Sequence, residues 1–389
     1  MIKYYNSNLI IRIIYLVFII FFIINPFLSI ICLLLFSFII QDKRLALFDV
    51  ILLTLLMWLI QSTRSFSLYE YSDWAGNYVI NFNRIRTSRF VDYIFFTGRE
   101  YAWQIENYIG FLLFKRFLPY GNFIVALTYL FTFLSCYEYW KSTDRGLRTL
   151  ITSLILFAFI SEISALSNNL LRQQFAMSMM LYVLIVKAVH NKIKWFLLFT
   201  AFFTHSMTVF FIPALFVNIG VRFSRKKIVY MIVGLLLFMI VIKLASSFTG
   251  LYVLERLNTA SDYNGTDVMN TSAIYPFLAV VIILYFKIII RDKCNNPTIL
   301  FVNNLFLMLI LLCLAFQDMP LVQIRYFITR FFFLPLVIPY FFQRRSQFNT
   351  PFLFIVSMAF VIRFCIIQSP WLAPVTDIFT RNLFEYSIL

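Results

Sequence analysis

The sequence predicts an all-α polytopic membrane protein, a single transmembrane domain over 1–389, and three observations predict it. Hydrophobic residues make up 62% of the chain and charged residues only 13%. Apolar stretches of about 20 residues recur along nearly its whole length, which is what a helix needs to cross a hydrocarbon core about 30 Å thick. Lysines fall in the short gaps between these stretches, and almost all of them fall in alternate gaps. A soluble domain has no way to bury 49 phenylalanines laid out in long unbroken runs.

The runs lie near 8–24, 27–41, 45–61, 120–138, 149–166, 174–190, 195–220, 228–248, 273–290, 298–316, 326–342 and 349–367. Asn25-Pro26 splits the first long stretch into a tight helical hairpin, because proline cannot continue a helix interior. With the N-terminus and Lys3 inside, the basic gaps alternate. The inside gaps hold Lys43-Arg44, then Lys141 with Arg145 and Arg148, then Lys187, Lys192 and Lys194. They continue with Arg222, Arg225, Lys226 and Lys227, then Lys287, Arg291 and Lys293, and finally Arg344-Arg345. This is a positive-inside pattern; only Lys115 and Lys243 fall elsewhere. Two successive basic clusters belong on one side but flank Trp195–Gly220. That segment reads as a re-entrant or double-pass hairpin with its apex near Thr204-His205-Ser206. The expectation is then about 13 crossings, within a range of about 11 to 14.

Two long loops are expected outside. Residues 62–119 carry an interfacial amphipathic helix around Tyr101–Leu118. Residues 249–272 are polar and mildly acidic, with Glu255, Asp262 and Asp267; long loops in a compact domain are often lids or binding loops. Five scattered cysteines show neither metal nor redox spacing and read as core packing. No small-residue cleavage site follows the first apolar run, so no cleavable signal is expected. The net charge of +16 belongs largely to orientation, and nucleic acid is not an expected partner.

Arginine departs from the lysine pattern. Arg64, Arg84, Arg86, Arg89 and Arg99 occupy the first external loop, and Arg172, Arg256, Arg325, Arg330 and Arg363 lie at or just below the same face. A guanidinium presents a planar fork of donors that grips phosphate bidentately and never deprotonates. Lipid headgroups or internal ion pairs with Asp73, Asp92, Glu100 and Glu106 are the alternative for the loop arginines. Arg172, Arg330 and Arg363 are flanked by apolar residues at membrane depth, where a charge is costly and usually faces a polar cavity. In Asn168-Asn169-Leu170-Leu171-Arg172-Gln173-Gln174, four amides surround one arginine at a helix start. Arg325 and Arg330 are five apart on one helix and could reach one diphosphate. His205, at the expected apex, suits a general base or a donor to phosphate, or else a hydrogen-bonded helix breaker. Asp73 lies among aromatics that include Tyr78, a combination suited to sugar rings, although interfacial Tyr and Trp are also routine. Glu106 is the other well-placed carboxylate. No P-loop, Gly-rich nucleotide fingerprint, His/Cys metal set or nucleophile elbow is present. Neither a metal nor a cofactor is expected, and any chemistry must use a pre-activated substrate.

The order Arg64…Asp73…Tyr78, Glu106-Asn-Tyr-Ile-Gly-Phe111, Leu171-Arg172-Gln173…Ala176, Phe202-Phe203-Thr204-His205-Ser206 and Arg325-Tyr326…Arg330 resembles the EpsG family of Wzy-type polymerases, over roughly 45–345. Tyr-Ser-Asp stands where Gly-x-Asp is commoner, and Gln174 replaces a small residue. The resemblance implies a membrane-embedded, GT-C-like glycosyltransferase that is independent of metal. It would move a growing glycan from undecaprenyl diphosphate onto the non-reducing end of a lipid-linked repeat unit, at the external face of a bacterial inner membrane. Arg172, Arg325 and Arg330, with Arg64, Gln173, Asn169 and Tyr78, would bind substrate. Asp73, then His205, then Glu106 would take the proton. The expected partners are the lipid-linked oligosaccharide, the bilayer and a protein that regulates chain length. An O-antigen ligase, or a flippase of lipid-linked oligosaccharide, is the alternative.

Overall fold

The structure is a computed structural model. It describes residues 2–64, 74–95, 100–166, 170–223, 226, 230, 233–234, 237, 280–283, 285, 287, 294–316, 320–343, 345–367 and 372–386, with backbone alone for 2–12, 74–75 and 320–321. The loop expected over 249–272, most of the runs 228–248 and 273–290, and the candidates Asp73 and Asn169 lie outside the described residues. Those described form helices and no strands. Five helical stretches are long and apolar enough to cross a membrane: Lys43–Ser62, Phe117–Lys141, Pro297–Ala315, Val322–Tyr340 and Asn349–Ile366. Five shorter apolar helices accompany them. The chain is an all-α, multi-pass membrane protein.

The described residues fall into two compact units. The first, Met1–Pro213 with Arg344–Leu389, opens with α1 (Ile2–Ile24) and α2 (Pro26–Ile40). Asn25 separates them as the sequence leads one to expect. Its side-chain oxygen accepts from Leu28 N–H at 2.9 Å, and Pro26 takes the first helical position, where a missing N–H costs nothing. The pair folds back on itself: Ser29 Oγ donates to Phe18 O at 2.6 Å, and the Tyr15 hydroxyl lies 3.4 Å from Ser37 Oγ. Then come α3 (Ala46–Ser62), the short α4 (Ile80–Asn83) and α5 (Phe90–Phe95), α6 (Tyr101–Phe114) and α7 (Phe117–Lys141). The core of this unit is α7 packed along both α3 and α10 (Leu171–His190).

The single run expected over 149–166 is two helices, α8 (Leu147–Ala158) and α9 (Ser161–Leu166). The break at Phe159-Ile160 lets Ser161 and Glu162 meet Arg363. The run after Lys194 also divides, into α11 (Trp195–Thr204), a 3-10 turn over Ser206–Phe211 and α12 (Pro213–Phe216). At 10 residues, α11 rises about 15 Å, half of a hydrocarbon core. The division falls at His205, whose backbone is extended with φ −156° and ψ 124°.

The second unit, Ala214–Gln343, contains α13 (Pro297–Ala315) and α14 (Pro320–Val337). Asn296 caps α13, accepting from Thr298 N–H and Ile299 N–H. The two helices pack through stacked rings, Phe306 on Phe333 at 5.8 Å and Phe316 on Tyr326 at 5.5 Å. Buried Asn304 is satisfied: it donates to Ile219 O and Val221 O and accepts from the Tyr285 hydroxyl at 3.0 Å. After α14, α15 (Asn349–Ile366) and α16 (Val375–Thr380) belong to the first unit. There, Ser357 Oγ on α15 lies 3.1 Å from Thr152 Oγ1 on α8.

Candidate functional site

Helix α6 is amphipathic in an unusual sense. Trp103, Gln104, Asn107 and Gly110 are buried, at the i, i+3/i+4, i+7 spacing of one helix face. Ile109 and Leu113 are 50% and 70% exposed. A surface helix in water does the reverse; polar inward and apolar outward suits lipid on one side and a polar interior on the other. The helix ends earlier than the sequence suggests, because Lys115 adopts the left-handed conformation at φ 59° and α7 starts two residues later. Its inner face packs on α7 so closely that a side chain at Gly110 would run into the Tyr120 ring.

Glu106 also turns inward on α6. Its Oε1 accepts from Thr204 Oγ1 at 2.9 Å, at the end of α11, while Oε2 is buried with no partner among the described residues. Burial pushes its carboxyl up to about 8, with the Thr204 hydroxyl pulling back only in part. Thr204 Oγ1 also lies 2.7 Å from Thr200 O. The Thr204 hydroxyl thus faces two acceptors, a shared arrangement common at helix ends, and burial favours the protonated form of Glu106. The next residue, His205, accepts at Nδ1 from Met207 N–H at 3.2 Å. This caps the 3-10 turn and assigns the ring proton to Nε2, making that edge a donor.

Arg172 is the second residue of α10. The first turn holds no acidic residue, and Leu170 at the cap makes no side-chain bond. The helix dipole places positive charge there, so an arginine at this point calls for an anion. The Glu100 carboxylate supplies it, accepting from Arg172 Nη1. The guanidinium carbon lies 5.6 Å from the centre of the Tyr78 ring. The two side chains are 33% and 25% exposed, so the pair stays open to solvent. Gln173 and Gln174 are buried behind it. Gln174 leaves both its amide oxygen and its nitrogen without a partner among the described residues, a cost of about 1–3 kcal/mol for each buried group.

Other candidates are engaged elsewhere. Arg64 is buried, donating to Gln61 Oε1 and to Ser164 O at 3.3 Å, past the C-terminal end of α3, where a cation is favoured. Arg363 grips the Glu162 carboxylate with both Nη atoms and reaches Ser161 Oγ at 3.1 Å. Burial, the largest single influence, acts to raise the Glu162 carboxyl, but the hydrogen bonds and charge of Arg363, a backbone N–H and the Ser161 hydroxyl together hold the group below the usual carboxylate range. Arg84, Arg86 and Arg89 lie at the surface. In the second unit, Arg325 is exposed. Arg330 Nη1 donates to Phe327 O at 2.7 Å, and its guanidinium stacks on Phe327 and Phe331, 3.5 Å and 4.2 Å from their centres. Five helical residues turn about 140° past a full circle, so the two arginines leave α14 in different directions. Among the described residues, no three His, Cys, Asp or Glu gather as metal ligands would.

In the first unit, then, Arg172 meets Tyr78 and Glu100, and Glu106 meets Thr204, next to His205 in the chain; α6 and its cap residue supply a member of each group. Glu100 and Thr204 are the residues to which sequence reasoning gave no site role; no local signal links Glu100 to a residue 72 positions away. Ionisable side chains on a polar inner face, among helices long enough to cross a membrane, define a polytopic membrane protein with a polar interior. The model of the EpsG family matches residues 50–376, which include every candidate side chain, and the chain belongs to that family. EpsG-type proteins are Wzy-like polymerases, and membership supports a polysaccharide-polymerase role with glycosyltransferase-like chemistry. No curated protein and no solved structure matches the chain.

Proposed function

We propose that the protein is a polysaccharide polymerase that transfers a growing glycan from undecaprenyl diphosphate to the non-reducing sugar of a lipid-linked repeat unit, at the external face of a bacterial inner membrane. The observation that carries this reading is Arg172: a solvent-open guanidinium at the uncapped start of a 20-residue helix, resting on an aromatic ring and holding an anion. Helix dipole and planar fork together favour a diphosphate.

In the proposed step, the acceptor hydroxyl oxygen bonds to the anomeric carbon of the donor glycan. The bond from that carbon to the diphosphate oxygen breaks, and the departing lipid diphosphate keeps the electron pair. Arg172 and the first-turn N–H groups of α10 stabilise the charge growing on that oxygen. With this cation and these donors in place the proposed reaction needs no metal. The hydroxyl proton goes to a carboxylate. Among the described residues Glu106 fits this role best, since it sits on the polar face of α6 with a pKa raised towards neutrality; Asp73, outside them, is the other candidate. His205, with its proton on Nε2, suits donation to phosphate better than proton abstraction. Arg325 and Arg330 are proposed as further contacts to the lipid-linked chain, and a separate protein is proposed to set chain length.

The test is purified full-length protein with lipid-linked repeat units as the sole substrate. A ladder of products spaced by one repeat is expected. Transfer that occurs only when a different acceptor is added would replace polymerase with ligase.

A further inference from the structure

We propose that the Glu100 carboxylate is an internal stand-in for the diphosphate on Arg172, and that the incoming anion takes over the fork by displacing it. The inference rests on the diphosphate reading of Arg172 above and adds the regulation of that site. Glu100 is the N-cap residue of α6, where an acidic side chain would ordinarily accept from the first-turn N–H groups. It makes no such bond and reaches across to Arg172 instead. Its backbone lies at φ 56° and ψ 44°, a left-handed conformation that side chains other than glycine rarely adopt. The resting arrangement therefore leaves α6 without a side-chain cap and its cap residue strained, while an anion occupies the arginine.

Two positions are open to this one carboxylate. On Arg172 it neutralises the fork; released, with the Glu100 backbone relaxing to the extended form of an N-cap, it can reach the N–H groups at the start of α6, where the helix dipole favours negative charge. Displacement by a diphosphate exchanges one anion for another on Arg172 and supplies α6 with its missing cap. The same helix carries Glu106 two turns on, so donor binding is coupled to the element that holds the proposed base. The partial exposure of both partners, 33% and 25%, leaves a path for the exchange.

The experiment measures binding of farnesyl diphosphate, a short prenyl diphosphate, to the purified full-length protein. Wild type is compared with Glu100→Gln, Glu100→Ala and Arg172→Lys, each shown to be folded by its thermal melt. Removing a part-exposed internal competitor should tighten binding about fivefold in both Glu100 variants. Arg172→Lys should weaken it. Equal or weaker binding in both Glu100 variants, with Arg172→Lys still weakened, would overturn the stand-in and leave the diphosphate site intact. Wild-type binding in Arg172→Lys would overturn the diphosphate reading itself, and the stand-in with it.

Discussion

Arg172 sits where helix electrostatics work against it, at the positive end of α10, and its position makes sense only with an anion in reach. Replacing its fork with the single ammonium of lysine keeps the charge but loses the two-pronged grip. Arg172→Lys should lower polymer formation about a hundredfold or more, the range seen when one donor to a developing oxyanion is removed. Glu106 gives a second prediction, with two signs to keep apart. Its carboxyl is raised from 4.5 to about 8, so the folded protein holds a proton that the unfolded chain has already lost. The linked stability is complete below about 4.5 and disappears as pH rises through about 8. A base works in the opposite direction, because only the ionised carboxylate accepts a proton. Polymer formation should therefore rise with pH towards a plateau above about 8. In Glu106→Gln the activity should be lost, and the thermal melt should no longer fall over that pH window. A melt that falls with pH equally in wild type and variant would exclude Glu106 as its source. His205→Asn keeps an acceptor for Met207 N–H and removes the Nε2 donor; shortened ladders from a normally inserted protein are expected, and full-length ladders would leave His205 with capping alone.

At the scale of single elements, α6 organises the site. Its inward polar face carries Glu106 and Asn107, its start carries Glu100, and its close approach to α7 depends on Gly110. A methyl group at Gly110 would push on the buried Tyr120 ring, and overpacking of this kind costs about 1–3 kcal/mol. Gly110→Ala should lower the melting temperature and lower activity with it, since Glu106 lies one turn away; an unchanged melt would show that the helices separate without cost. Much of this element was legible in advance. The sequence of 62–119 predicts an amphipathic helix around Tyr101–Leu118, and Asn25-Pro26 predicts a hairpin, because capping and proline chemistry are local. The direction in which α6 faces was not legible, since periodicity marks two faces without saying which one meets lipid. The break at Phe159-Ile160 is only faintly marked, by the polar pair Ser161-Glu162, and the arginine that holds this pair, Arg363, lies 201 residues away.

For the whole molecule, the regular placement of lysine predicts an orientation as well as a count of crossings. Single cysteines placed at Lys43 and Arg345 should be shielded from an impermeant thiol reagent added to intact cells, and one placed at Glu100 should react; the opposite labelling would invert the topology. Side-chain pairings were the part of the site that the sequence left open. Of the ten arginines that depart from the lysine pattern, several read alike by type and depth. What separates them is their partners: Gln61 and Ser164 for Arg64, Glu162 for Arg363, Phe327 O and two rings for Arg330, and an exchangeable carboxylate for Arg172. Ser164, Glu100 and Glu162 lie 100, 72 and 201 residues from Arg64, Arg172 and Arg363, so charge patterning can find the cations but cannot sort them. Membership of the EpsG family then narrows the chemistry to polysaccharide polymerisation, with the arginine as the centre of the account. The most direct measurement is the in vitro reaction of purified wild type and Arg172→Lys, side by side on lipid-linked repeat units alone. A ladder from wild type and none from the variant is the predicted result, whereas ladders of equal length and rate from both would contradict it.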